Sequence, residues 1–485
     1  MPGTGTGTGT GGAVRRVGPV LPLLAVVVLL AVPPPEGGPG GTGGTVADAA
    51  SGLLVVYTAA RLLRDRARPL SRTAAVVLGL PVLGVCAAAV ASCDPAASLP
   101  GVVRYLQVFV LVPAAVVLLL RDRRDFRLTA WALVGLALAQ GAVGTVQNLT
   151  GTGASYMGED VRAVGTFGAT DVMGMATAVA YGLVAAVALA LGSPGRRSRA
   201  VALGCAALLL FPLVVSFSRG AWIATAAACA LLLVLSGPLR AVRVALVAGA
   251  AGVVLVAGLG VGSQLVTERV ASISQVTDTP DRSVTDRYTM WAAAVGMWRS
   301  EPVTGVGLKG FPAYRDAHAS LALSSGSDTA GAGRDFAKQP LLSPHNMYLL
   351  VLGEQGLLGL LALAGGWLAL LVCGLRRLRA APDGARPGPG SAGRWGAPAD
   401  CGLVAVGLLG WQLVDFAYAD IGGPATVLTS LVLGLAGWWA LEPGAGAGAR
   451  VRAGDGVRGV GRPRSAERGG VCPAPAGAEG GAVHG

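Results

Sequence analysis

The chain has 485 residues, 53% of them hydrophobic and 13% charged, and its mean hydropathy is +0.61. Soluble domains carry about 25% charged residues, so a water-soluble globule is excluded and an integral membrane protein is indicated. The net charge of +12 would suggest a nucleic-acid partner in a soluble protein, but here the arginines form short clusters between apolar runs, as in cytoplasmic loops.

The chain opens on a Thr-Gly repeat, Thr4 to Gly11, followed by Arg15 and Arg16 and a first apolar run. A bilayer-crossing helix needs about 20 mostly apolar residues. By that measure the sequence predicts about twelve spans, near 17–33, 45–63, 73–91, 101–120, 128–149, 166–191, 200–217, 220–236, 242–262, 347–374, 401–419 and 422–441. Arginine clusters at 61–72, 121–127, 196–199, 240–243 and 376–379 fall in alternate connections, and the connections between them are nearly free of positive charge. The positive-inside rule then puts both termini in the cytoplasm and the long polar segment before span ten outside. The expected organisation is a disordered N-terminus over 1–16, a bundle of spans one to nine over 17–263, and an extracytoplasmic loop that does the work over 264–344. Spans ten to twelve follow over 345–442, and a disordered cytoplasmic tail over 443–485. No internal duplication is visible, which weighs against repeat-built transporter folds. The seven cysteines have no metal-ligand or disulfide-framework spacing.

Loops beyond about 12–15 residues are uncommon unless they carry function. This one holds His318, both lysines (Lys309 and Lys338) and, at its junction with span ten, His345. Ser283 to Ser300 predicts a helix, with Ser283 and Asp286 as a capping box, a stripe of Val284, Tyr288, Trp291, Val295 and Trp298, and Pro302 with Gly305 as its stop. The stripe suits packing on other helices or lying in the bilayer surface. Gly305 to Gly310 matches a dinucleotide pattern by letter but lacks the βαβ context, so it reads as a turn.

Arginines are scarce on the predicted outer side, so Arg104, Arg162, Arg219, Arg287 and Arg299 carry information there. Any one of them could snorkel to headgroups. Their convergence with His345 points instead to an anion site, and guanidinium forks match the oxygens of a lipid-linked diphosphate. His345, followed by Asn346, is the best available proton-transfer group. Glu354 would be costly in lipid and is expected to face the bundle interior, pairing with an arginine or ordering the site. No Asp-x-Asp or His/Asp cluster occurs in the outer loops, so a metal or other cofactor is not expected.

Four segments together resemble the O-antigen ligase and O-antigen polymerase family of polytopic glycosyltransferases. They are Arg162-Ala-Val-Gly-Thr-Phe167, Ser218-Arg-Gly-Ala-Trp222, Arg287-Tyr-Thr-Met-Trp291 with Pro302-Val-Thr-Gly-Val-Gly307, and His345-Asn-Met-Tyr348 through Glu354-Gln-Gly-Leu-Leu-Gly359. The resemblance implies an all-α, GT-C-like membrane fold. It implies transfer of a glycan from an undecaprenyl-diphosphate donor to an acceptor hydroxyl outside the membrane, without metal or nucleotide. Carried over residue by residue, it makes Arg219 and Arg287 the diphosphate-binding catalytic pair and His345 the group that activates the acceptor. Arg162, Asn346, Glu354 and Trp291 become substrate-binding candidates. The expected partners are the lipid-linked donor, a glycan, lipid or wall acceptor, and the bilayer. The rival reading is a flippase or transporter for lipid-linked sugars, which would need ionisable groups along a transmembrane path.

Overall fold

The computed structural model describes residues 18–33, 45–65, 70–92, 94–156, 159–193, 195–237, 282–320, 323–324, 326–331, 334–339, 341–380, 399–423 and 425–442. The expected ninth span, the first part of the long loop and both tails lie outside the described residues.

In a bilayer every backbone polar group must be satisfied within its own segment, which leaves helices for apolar runs of this length. Among the described residues eight helices are long and apolar enough to cross a membrane. They are α2 (Val46–Asp65), α3 (Arg72–Val90), α4 (Pro95–Leu106) running through a π-helical turn at Gln107–Leu111 into α5 (Val112–Leu119), and α6 (Arg123–Thr150). The others are α7 (Gly174–Gly192), α8 (Arg196–Val214), α9 (Arg219–Ser236) and α12 (Met347–Ala380). The shorter α1 (Leu21–Leu29), α13 (Ala399–Asp415) and α14 (Thr426–Leu441) pack into the same bundle. Two expected spans are therefore shorter than their apolar runs. Residues 17–33 yield a nine-residue helix. The run from 166 begins as a 3₁₀ turn, Gly165–Thr170, broken by Gly168 at φ 67°, so α7 starts only at Gly174.

Helix α7 is the most enclosed span. Its Ala- and Gly-rich surface lets α6, α8 and α13 approach closely, the usual way helices associate where lipid offers no hydrophobic drive. Two helices of the long connection are α10 (Arg282–Ser300) and the short α11 (Phe311–His318), and α12 packs along α3, α10, α13 and α14.

The two ends of the bundle differ. At one end Arg121 pairs with Asp125 at 2.9 Å, Arg127 with the buried Asp400 at 3.3 Å, and Arg377 donates to the Trp439 and Glu442 carbonyls. The opposite end gathers the connections at 151–173 and 215–218, the long connection that ends at Asn346, and 416–425.

That second end also carries a feature absent from an all-helical expectation. Strands β1 (Ala154–Tyr156), β2 (Glu159–Arg162), β3 (Ser327–Gly331) and β4 (Arg334–Gln339) form an antiparallel sheet in the order β2-β1-β3-β4. Ala154 pairs with Gly331, which ties the connection before α7 to the long loop. These strands are short, rich in charged residues, and lack apolar alternation, so no strand signal precedes them in the sequence.

Candidate functional site

The long connection is built on α10 (Arg282–Ser300), the helix expected from 283 to 300. Its buried residues are not the predicted stripe. Met290, Ala293, Ala294 and Met297 are buried, while Tyr288 is 49% exposed. Helix α10 packs against α12, and the other stripe residues, Val284, Trp291, Val295 and Trp298, are half-buried. The capping box is also corrected. The helix already includes Ser283, and the Asp286 carboxylate accepts from the Ser324 amide at 2.8 Å and hydroxyl at 2.6 Å, so it fastens the following loop. Trp291 donates its indole N–H to the Pro344 carbonyl at 2.9 Å. This brings α10 against the residue that precedes His345, with Arg287 one helical turn away.

The two glycine-rich motifs of the sequence bind each other. Helix α12 breaks at Gly356, at φ 63° and ψ −163°. The turn Pro302 to Gly307 docks backbone to backbone into the break. Leu357 and Leu358 donate to the Pro302 and Val303 carbonyls at 2.9 and 3.2 Å, and Val306 and Gly307 donate to the Gly353 and Glu354 carbonyls at 3.0 and 3.1 Å. A Cβ at Gly356 would collide with the Val303 carbonyl, so only glycine fits. Glu354, 2% exposed, completes the lock by accepting from the Phe311 amide at 3.2 Å. It therefore faces the interior as expected, but its hydrogen-bond partner is this backbone rather than an arginine.

His345 sits at the junction with φ 48°. The non-glycine residues with positive φ among the described residues are Phe217, Lys309 and His345, all at this end of the molecule. Such conformations persist only where surroundings impose them, and they concentrate at functional sites. The imposing contacts are visible around His345. Asn346 caps α12 through the Leu349 amide at 3.1 Å and donates to the Ala417 carbonyl at 3.1 Å. The Met347 amide donates to the carbonyls of Phe416, at 2.8 Å, and Ala419, at 3.0 Å. Tyr348 donates to the Leu413 carbonyl at 2.7 Å. The loop after α13 thus cradles His345.

The same loop reaches Arg219. Ser218 caps α9, accepting from the Ala221 amide at 3.3 Å, and Gly220 lies so close to Tyr418 that a Cβ would sit 2.9 Å from the tyrosine Cβ. Arg162 joins this corner, because Ala163 donates to the Val215 carbonyl at 3.1 Å. The Arg162 Nη2 and the Ser218 hydroxyl both approach the Met173 sulfur, at 3.1 and 3.8 Å. Arg104 has a different task. It pairs with Asp48 and donates to the Gly423 carbonyl at 3.2 Å, which fastens α4 to the 416–425 loop.

The charges around His345 set its proton affinity. Surrounding protein lowers its pKa below the ordinary imidazole value, with Arg287 acting in the same direction and Asp420 opposing. Solvent still reaches the side chain, so the burial effect is partial. Arg287 also lies within electrostatic reach of Asp415, at the end of α13. Sequence reasoning did not single out Asp420. A lone carboxylate between two apolar runs carries no local signal, and its relation to His345 exists only once the 416–420 loop folds over the start of α12.

The structure brings His345, Arg287 and Trp291 together around Pro344, joins Asn346 and Arg219 to them through the 416–420 loop, sets Arg162 beside the Arg219 corner, and keeps Glu354 in the supporting layer. This arrangement offers cationic groups for an anion, an imidazole whose pKa is lowered by its surroundings, and a carboxylate that opposes that shift. Comparison with curated proteins finds no match. The family model described as O-antigen ligase matches residues 204–364, which contain the Arg219, Arg287, His345 and Glu354 segments. Over residues 204–364, about a third of its length, the chain is similar to the O-antigen ligase family.

Proposed function

We propose that this chain is a membrane glycosyltransferase that moves a glycan from a lipid-linked diphosphate, of the undecaprenyl kind, to an acceptor hydroxyl on the outer side. In this reading the chain crosses the membrane about twelve times, keeps both termini in the cytoplasm, and works through the 264–344 loop. The observation that carries it is the approach of Arg287 and His345 at the Trp291–Pro344 contact, with Arg219 at the start of α9 beside the same 416–420 loop.

The chemistry then balances simply. The acceptor oxygen attacks the anomeric carbon of the donor glycan and its proton passes to the neutral imidazole of His345. The bond from the anomeric carbon to the phosphate oxygen breaks, and its electron pair leaves on the lipid diphosphate. Arg287 and Arg219 stabilise that growing negative charge, an electrostatic role. Arg162 extends the cationic corner. Asn346, Trp291 and Glu354 hold these groups in place, and Trp291 and Asn346 also border the space a glycan would enter. The chain's own residues supply every step, with no metal or nucleotide.

A transporter would need ionisable groups between the two ends of the bundle. Glu354, Asp171 and Asp415 all belong to the His345 end, and the middles of the described spans carry no charged side chain. The deciding experiment is reconstitution in vesicles with a lipid-diphosphate glycan and a hydroxyl acceptor. Release of free lipid diphosphate together with a lengthened or ligated acceptor is expected. Movement of intact donor across the bilayer without release would replace this reading by the transporter.

A further inference from the structure

Around the break of α12 and the 416–425 loop, three polar atoms are enclosed without hydrogen-bond partners: the Tyr105 hydroxyl, the Gln355 amide nitrogen and Oδ2 of Asp420. Tyr105 is 1% exposed and Gln355 2% exposed. They come from three elements that frame the site. Tyr105 ends α4, whose Arg104 is tied to the 416–425 loop; Gln355 stands in the break of α12; Asp420 lies in that loop. The Gln355 side chain lies close enough to act on the Tyr105 hydroxyl, and Asp420 and Glu354 are within electrostatic reach of the tyrosine. Orphaned polar groups are rare in folded proteins, and inside a bilayer each is expensive, so a cluster of them marks a place where a guest supplies the missing bonds.

Their chemistry specifies the guest. Asp420 Oδ2 only accepts, the amide nitrogen only donates, and the tyrosine hydroxyl does both. A hydroxyl fits all three, donating to the carboxylate and accepting from the amide or the phenol. We propose that Tyr105, Gln355 and Asp420 form a buried subsite for a hydroxyl-bearing guest, either a hydroxyl of the acceptor sugar or a bound water, next to the Arg287–His345 centre. This rests on the glycosyl-transfer reading above for its role, but not for its existence.

Tyr105→Phe and Gln355→Leu remove the donors with little change in volume. With a sugar hydroxyl as guest, each variant should raise the acceptor KM by roughly 3–10-fold, the range of one lost hydrogen bond, and leave lipid-linked donor binding unchanged. With water as guest, kcat should fall by a similar factor at unchanged KM. Wild-type values of both constants in both variants would overturn the subsite. If the wild-type protein transfers nothing, the glycosyltransferase reading fails instead, and thermal unfolding of the purified full chain decides the subsite alone. Lower unfolding temperatures in both variants indicate an occupied pocket. Unchanged or higher ones indicate a dry pocket relieved of orphaned groups, and overturn it.

Discussion

The Trp291 indole donates to the Pro344 carbonyl at 2.9 Å, and this bond joins the helix that carries Arg287 to the residue that precedes His345. The two proposed reacting groups are far apart in sequence, and the tryptophan sets their spacing. Trp291→Phe keeps the ring, and with it the edge contact to Tyr288, but loses the donor. The expected result is a loss of transfer on the order of 10-fold or more, because small misplacements of catalytic groups are costly. Insertion and unfolding temperature should stay near wild type. Full activity in this variant would detach Trp291 from the site.

Arg287→Lys keeps the charge but replaces a planar fork by a point charge, and Arg219→Lys does the same at the second corner. Removing a donor that stabilises a developing oxyanion commonly costs about 10²–10³-fold. Each variant should therefore lose most of its turnover while the protein is still made and inserted. The measurement is initial rate of lipid diphosphate release at saturating donor. Near-normal turnover in both would return the arginines to headgroup snorkelling.

Much of the fold is legible in the sequence because apolar runs and alternating arginine clusters report directly on burial in lipid. What failed to show locally is instructive. The α10 stripe at helical spacing suited either a packed face or the bilayer surface, and the most buried apolar residues of the helix are instead Met290, Ala293, Ala294 and Met297. Alanines are weak in any hydropathy pattern, yet between helices their small size is what permits contact. The Gly305–Gly310 segment reads correctly as a turn, but a single chain gives no hint that its partner is the Glu354–Gly359 motif. That relation is made by backbone groups, which leave no residue-type signature. Asp420 was hidden for a similar reason, since its role depends on the loop returning to His345.

The docked turn supplies the next expectation. Gly356 at φ 63° and ψ −163° occupies a region essentially closed to other residues, and a Cβ would strike the Val303 carbonyl. Gly356→Ala should lower stability by about 1–3 kcal/mol from backbone strain, with the displaced turn adding to this. Thermal unfolding in detergent should show a reduced midpoint, and transfer should fall with it. A wild-type midpoint would mean that the break in α12 tolerates a side chain.

Topology is testable without substrate. With Cys93 replaced, a cysteine at the exposed Ala313, on the short helix Phe311–His318, should react with an impermeant thiol reagent in intact cells, and one at Arg197 should not. The expectation follows from the arginine clusters, of which those at 121–127 and 376–379 share the end opposite His345. Labelling at Arg197 and protection at Ala313 would invert the orientation and remove the outer-face reaction.

The pH dependence of transfer tests the proton-transfer role most directly. As a base, His345 must be neutral when the acceptor hydroxyl gives up its proton, so activity is lost as pH falls through its pKa. Surrounding protein and Arg287 hold that pKa below the ordinary imidazole value of about 6.5, while Asp420 pulls it upward. The acid limb of kcat/KM, which reports the free enzyme, should therefore lie below that value in the wild-type protein. Asp420→Asn removes the charge that favours protonation, so the limb should move to lower pH. Arg287→Gln removes the charge that opposes protonation, and its residual activity should show the limb at higher pH. Opposite shifts cannot arise from general damage to the fold, which would lower the rate without moving the two limbs apart. If both variants kept the wild-type limb, or if His345→Ala retained it, the titrating group would be another residue and His345 would not be the base.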